Sequence, residues 1–160
     1  MDLNQLPDDD AVIKCLREVE EAVQSVAHFR DRTLFVYDEG DLSNKIRGVV
    51  KFPAVGIVYE GIRSLDAQKP NSLGSSVELI VSLMVVNKLE TTMAATSDGK
   101  TPALLYLGQL RRALLDRRSP TGHHWRFLVE APAKPSQGLT FWIQRWSVPL
   151  MLQHNKDKNR

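Results

Sequence analysis

From Phe52 to Asn87 the chain runs through an apolar strand, a polar loop and a second apolar strand. The second strand, SSVELIVSLMVV, sets Val77, Leu79, Val81, Leu83 and Val85 on one face by strict alternation. That is the pattern of a strand packed on a core. The opposite face carries Glu78, Ile80, Ser82, Met84 and Val86 and is also largely apolar. A sheet that is apolar on both sides needs cover on both. The chain's own helices are expected to supply one cover, and another copy of the chain the other. Assembly, rather than catalysis, is therefore the first question.

A length of 160 residues suits one domain with a real core. A single domain is expected over 1–152, with a polar tail over 153–160. The net charge of +2 gives no chain-wide field toward nucleic acid or membrane. The charges are nonetheless uneven. Asp8, Asp9, Asp10, Glu18, Glu20 and Glu21 make the start acidic, and Arg111, Arg112, Arg117 and Arg118 make a later segment basic. Opposite charges at different places can steer head-to-tail contacts between copies. The one cysteine, Cys15, excludes an internal disulfide. It falls on the apolar side of a helical pattern, so it reads as a buried thiol rather than a nucleophile. The acidic N-terminus lacks the apolar core of a secretory signal. No apolar run approaches the roughly 20 residues that span a bilayer. Folding in a reducing cytoplasm is expected.

Along the chain, Pro7 and Asp8 to Asp10 form a helix start, with carboxylates at the positive end of the dipole. Val12, Cys15, Leu16, Val19, Ala22, Val23 and Val26 then recur at spacings of three and four, predicting an amphipathic helix over 9–28. Thr33 to Tyr37 reads as a strand, Asp38 to Asp41 as a turn, and Leu42 to Val50 as a short helix or a continuing strand. Phe52 to Glu60 is the next strand, where Gly56 suggests a bulge or a close backbone approach. Ile62 to Ser75 reads as a contact-bearing loop, Ser76 to Asn87 as a strand, and Thr91 to Lys100 as a linker. Thr101-Pro102 opens a helix that runs to about Asp116 through Leu104, Leu107, Leu110, Arg111 and Leu114. His124 to Ala131 is a strand, Pro132 to Gly138 a loop, and Leu139 to Leu152 a strand that ends the sheet, with Pro149 marking an edge or bend. The expected fold is α+β, a mainly antiparallel sheet of about four to five strands packed with two helices.

Motifs for chemistry are weak. His123 and His124 would point to opposite faces of a strand and lack a third ligand, so a zinc site is disfavoured. Asp98-Gly99-Lys100-Thr101 resembles the end of a phosphate loop, but Ala94 stands where the first glycine belongs. No G-x-S-x-G elbow is present. No catalytic residue, metal ligand or cofactor is assigned. The four arginines fit a solvated helix end, a contact with an acidic protein surface, or DNA phosphates. Trp125, Trp142 and Trp146 fit either core packing or a subunit interface, and Trp142 and Trp146 share strand parity.

Three stretches carry a resemblance: the N-terminal helix, FVYDEGDLSNKIRGVVKFPAVGIVYEG from Phe35 to Gly61, and SVELIVSLMVVNK from Ser76 to Lys88. A Leu-rich helix, ALLYLGQLRRALL from Ala103 to Leu115, follows them. In this order they resemble a bacteriophage tail terminator, or tail completion protein, of the Mu-like phage type, over about residues 8 to 152. The resemblance implies a small α+β subunit that forms a homohexameric ring. The ring would sit on the last ring of the tail tube, stop its polymerisation and present a face to the head connector. Its implied partners are other copies, the tail tube protein, the head–tail connector, and a sheath protein if the tail is contractile. DNA passes only as cargo, and no membrane is involved. The implied location is the virion tail or neck, with assembly in the host cytoplasm. On this reading Arg111, Arg112, Arg117 and Arg118 meet an acidic tube or connector surface or line the DNA channel. Arg63 to Ser75, with Asp66 and Lys69, forms an arm to a neighbour, and Trp142 and Trp146 anchor an interface. Rival readings are a neck adaptor on the portal side, a DNA-binding module with steep salt dependence, and a small enzyme with converging titratable groups.

Overall fold

The structure, a computed structural model, describes residues 10–49, 52–65, 74–88, 102–136 and 138–153. Its elements in chain order are α1 (Ala11–Ser25), a 3₁₀ turn (Ala27–Phe29), β1 (Thr33–Val36), α2 (Glu39–Val49), β2 (Ala54–Ser64), β3 (Gly74–Lys88), α3 (Pro102–Leu115), β4 (Arg126–Ser136) and β5 (Leu139–Gln153). The fold is α+β, a five-stranded mixed and mostly antiparallel sheet with three helices packed against it. Strand order is β1-β2-β3-β5-β4. Only β1 and β2 run parallel, because α2 connects them and returns the chain to the same end. The expected linker over 91–100, the Asp8–Asp9 start and the tail beyond Gln153 lie outside the described residues.

Asp10 caps α1: its carboxylate accepts from the backbone amides of Val12 at 2.8 Å and Ile13 at 3.1 Å. Two otherwise orphaned amides are thereby satisfied. Cys15, Leu16, Val19, Ala22 and Val23 are buried, as the periodicity predicts. They meet Ala103-side residues of α3 (Leu107, Leu110 and Leu114) over Val77, Leu79, Val81, Leu83 and Val85 of β3, with Trp146, Val148 and Leu150 of β5. This is the main core. Burial pushes the Cys15 thiol up to about 12, with Glu18 and Asp10 adding to the shift, so it stays protonated and is a poor nucleophile.

The opposite face of the sheet departs from expectation. Leu42 and Ile46 of α2 pack on Ala54, Met84, Val86 and Phe141 in a second core, with Val58 and Ile143 partly buried around it. The rest of that face is polar. Glu60 accepts from the Ser82 hydroxyl and pairs with Arg145 at 2.9 Å, and Glu78 pairs with Arg63 at 2.5 Å. The chain's own helix and its own ion pairs thus dress the second face, and no second copy is needed to shield it. Alternation reports which side chains share a face, not what covers them.

Three local readings change for related reasons. Asp38 to Asp41 is the start of α2, not a turn: the Asp38 carboxylate accepts from the Asp41 amide at 2.8 Å. The stretch from Leu42 is therefore helix. Gly56 is not a bulge. A Cβ there would lie 2.8 Å from Val36 Cγ2 and 3.0 Å from Leu42 Cδ1, so glycine admits the side chains of β1 and α2. The bulge falls between Tyr59 and Gly61. Strand β4 continues through Pro132 and Pro135 to Ser136, because β4 is an edge and a missing amide proton breaks no ladder on its open side. Nor does β5 end the sheet. It lies between β3 and β4, and only past the Arg126↔Ser147 pair, around Pro149, does β4 leave it.

Candidate functional site

Sequence reasoning assembled a basic cluster, a loop arm and a tryptophan pair, and the fold separates them. Arg111 donates to both oxygens of Glu130 at 2.7 Å. Gln144, fully buried, donates to the same carboxylate at 2.7 Å and to the Leu107 carbonyl at 2.9 Å. Arg111 is therefore part of a strut fixing α3 to β4 and β5. Arg117 pairs with Glu18 at 3.2 Å and Glu21 at 3.5 Å. The acidic start and the basic later segment thus meet within one chain, which corrects the expectation that they steer copies together. Arg112 and Arg118 are exposed. Of the four arginines, these two remain candidates for an outside partner.

Arg63 belongs to β2, not to a loop, and its pairing with Glu78 spans neighbouring strands. Asp66 and Lys69 lie outside the described residues. Trp142 and Trp146 do share the helix-covered face. Trp146 is fully buried beneath the helices, with Phe127 packed edge-to-face on it at 5.2 Å, so it offers nothing to a neighbour. Trp142 is half-buried against the same core. Trp125 is buried too, so core packing accounts for two of the three.

Glu78 illustrates the electrostatics of the open face. The Ser147 hydroxyl, and then the Arg63 guanidinium, hold its carboxyl below its ordinary value of 4.5, against the opposing effect of burial. A carboxyl lowered on folding stabilises the native state above its unfolded pKa, and that contribution is lost as pH falls through the folded one. Urea titrations should accordingly show Glu78→Gln less stable than wild type at pH 7, with the gap closing below the unfolded pKa. A gap that is constant from pH 7 to pH 3 would exclude this role.

The surface that sequence reasoning missed consists of exposed apolar side chains on two flanks. On one, α3 exposes Leu104, Leu105 and Leu115 along a groove floored by Gly108, while neighbouring β4 exposes Phe127 and Leu128. Leu104 faces out of the molecule rather than into the core. At the other end of the strand order, Tyr37 is 75% exposed beyond the end of β1, beside half-exposed Tyr59 of β2. One signal was legible. Ala103, Leu107, Leu110 and Leu114 already complete the buried stripe of α3, so Leu104, Leu105 and Leu115 are surplus and must face elsewhere.

Among the described residues no three His, Cys, Asp or Glu side chains gather as metal ligands, and His123 and His124 are both exposed. No helix among them is long and apolar enough to cross a membrane. No protein-family model matches the sequence, and no curated protein is significantly similar to it.

Proposed function

We propose that this chain is a structural virion protein, a tail terminator that caps the phage tail tube as a ring, stops tube polymerisation and joins the tail to the head connector. The observation that carries the reading is the placement of exposed apolar side chains on two unlike flanks at opposite ends of one sheet. A subunit with two different sticky ends associates head to tail, and head-to-tail contacts close into rings when the rotation allows. The order of the Phe35–Gly61, Ser76–Lys88 and Ala103–Leu115 stretches supplies the resemblance to terminators. The proposed partners are further copies, the tube protein and the connector, with DNA passing through.

Tube growth tests it. Added to polymerising tail tube protein of the same phage, the chain should arrest growth and shorten the length distribution seen by electron microscopy. Arg112→Glu with Arg118→Glu should weaken that arrest, since these two guanidiniums remain exposed. Tubes of unchanged length with wild-type chain would overturn the reading. Capture by the connector but not by the tube would favour a neck adaptor instead.

A further inference from the structure

We infer that the two flanks are the two halves of one contact between copies, the α3–β4 flank of one subunit seating on the Tyr37–Tyr59 flank of the next. This deepens the ring reading and rests on it for its biological setting, though its evidence is the chemistry of the flanks. Tyr59, Val81, Trp146 and Phe127 form a single row across the sheet, since Tyr59 pairs with Val81, Val81 with Trp146 and Trp146 with Phe127. Both ends of that row are aromatic and about two-fifths exposed.

The flanks differ in charge as well as in shape. Around Leu105 and Phe127 stand Arg112, Arg118 and Arg126, all exposed. Around Tyr37 stand Asp38, Glu39 and Asp41 of the first turn of α2, and only Asp41 has Lys45 as a counterion, at 3.0 Å. Guanidiniums meet carboxylates favourably and stack on tyrosine faces. A twofold contact of either flank with itself would instead oppose like charges. Complementarity therefore selects the unlike flank of a second copy as the occupant.

The contact is made by side chains, not by strand addition, because both sheet edges are closed. On β1, Lys45 donates to the Phe35 carbonyl at 2.9 Å, and Asp41 accepts from the Tyr37 amide at 3.0 Å. On β4, the register shifts between Phe127 and Val129, and Pro132 and Pro135 lack amide protons. Such devices prevent edge-to-edge pairing.

Two one-sided variants test the inference: Leu105→Asp on the helical flank and Tyr37→Asp on the tyrosine flank. Both side chains are exposed, so the fold should persist, as circular dichroism would verify. In sedimentation velocity across micromolar concentrations, wild type should form a closed oligomer. Each variant alone should associate about tenfold or more weakly. An equimolar mixture should form dimers and nothing larger, because each variant keeps one working flank. A mixture that stays monomeric, a variant that assembles like wild type, or a wild type that is monomeric throughout would each overturn the pairing. The tube-growth assay on wild type reads the cap separately. Arrest without this oligomer pattern would sink the flank pairing alone, and the pattern without arrest would sink the cap alone.

Discussion

Trp146→Ala should lose about 3–5 kcal/mol of folding stability, the range for truncating a large buried aromatic. Trp146 is fully buried between α1, α3 and the sheet, and no hydrogen bond to its indole nitrogen is found among the described residues. The loss is therefore one of packing. Against the 5–15 kcal/mol that holds most domains together, it is a large fraction. With a urea slope of about 2 kcal/mol per molar, the unfolding midpoint should fall by roughly 1.5–2.5 M. Trp146→Phe, which keeps most of the contact, should lose much less. A midpoint unchanged in Trp146→Ala would mean that this tryptophan is accessible, and the subunit-anchor reading would regain its footing.

Leu42→Ala should cost about 2–5 kcal/mol and act mainly on one face of the sheet. Leu42 is fully buried and, with Ile46, seats α2 over Met84, Val86 and Phe141. Hydrogen exchange should show α2 amides losing protection while α1 and β3 keep most of theirs. If the variant also gained concentration-dependent association, the uncovered strip would be the cause, since apolar surface of that kind seeks new cover. Uniform loss of protection across all elements would instead show that both cores melt as one unit.

Much of the fold was legible because it rests on local periodicity. The stripes of α1 and α3 and the alternation of β3 need only their own residues to be recognised. What failed depended on distant partners. Asp38 to Asp41 could begin a helix or close a turn, because the same short polar side chains satisfy backbone amides in both. Pro132 and Pro135 signal a loop unless β4 is known to be an edge. Arg117 meets Glu18 across 99 positions of sequence, so the charge asymmetry read as intermolecular when it is internal. The candidate site was less legible still. Two of the four arginines have partners within the chain, and the best surface anchors, Leu105 and Tyr37, stand out only once burial elsewhere is known.

The position of β3 has a consequence for biosynthesis. It is paired on one side with β2, which precedes it, and on the other with β5, which is made last. While the ribosome is still adding α3 and β4, a fifteen-residue ribbon of Val, Leu and Ile stands with one flank of its amides unclaimed. Only when Leu139–Gln153 emerges is that flank sealed. Nascent chains cut short before that point should therefore be the sticky, chaperone-dependent species of this protein.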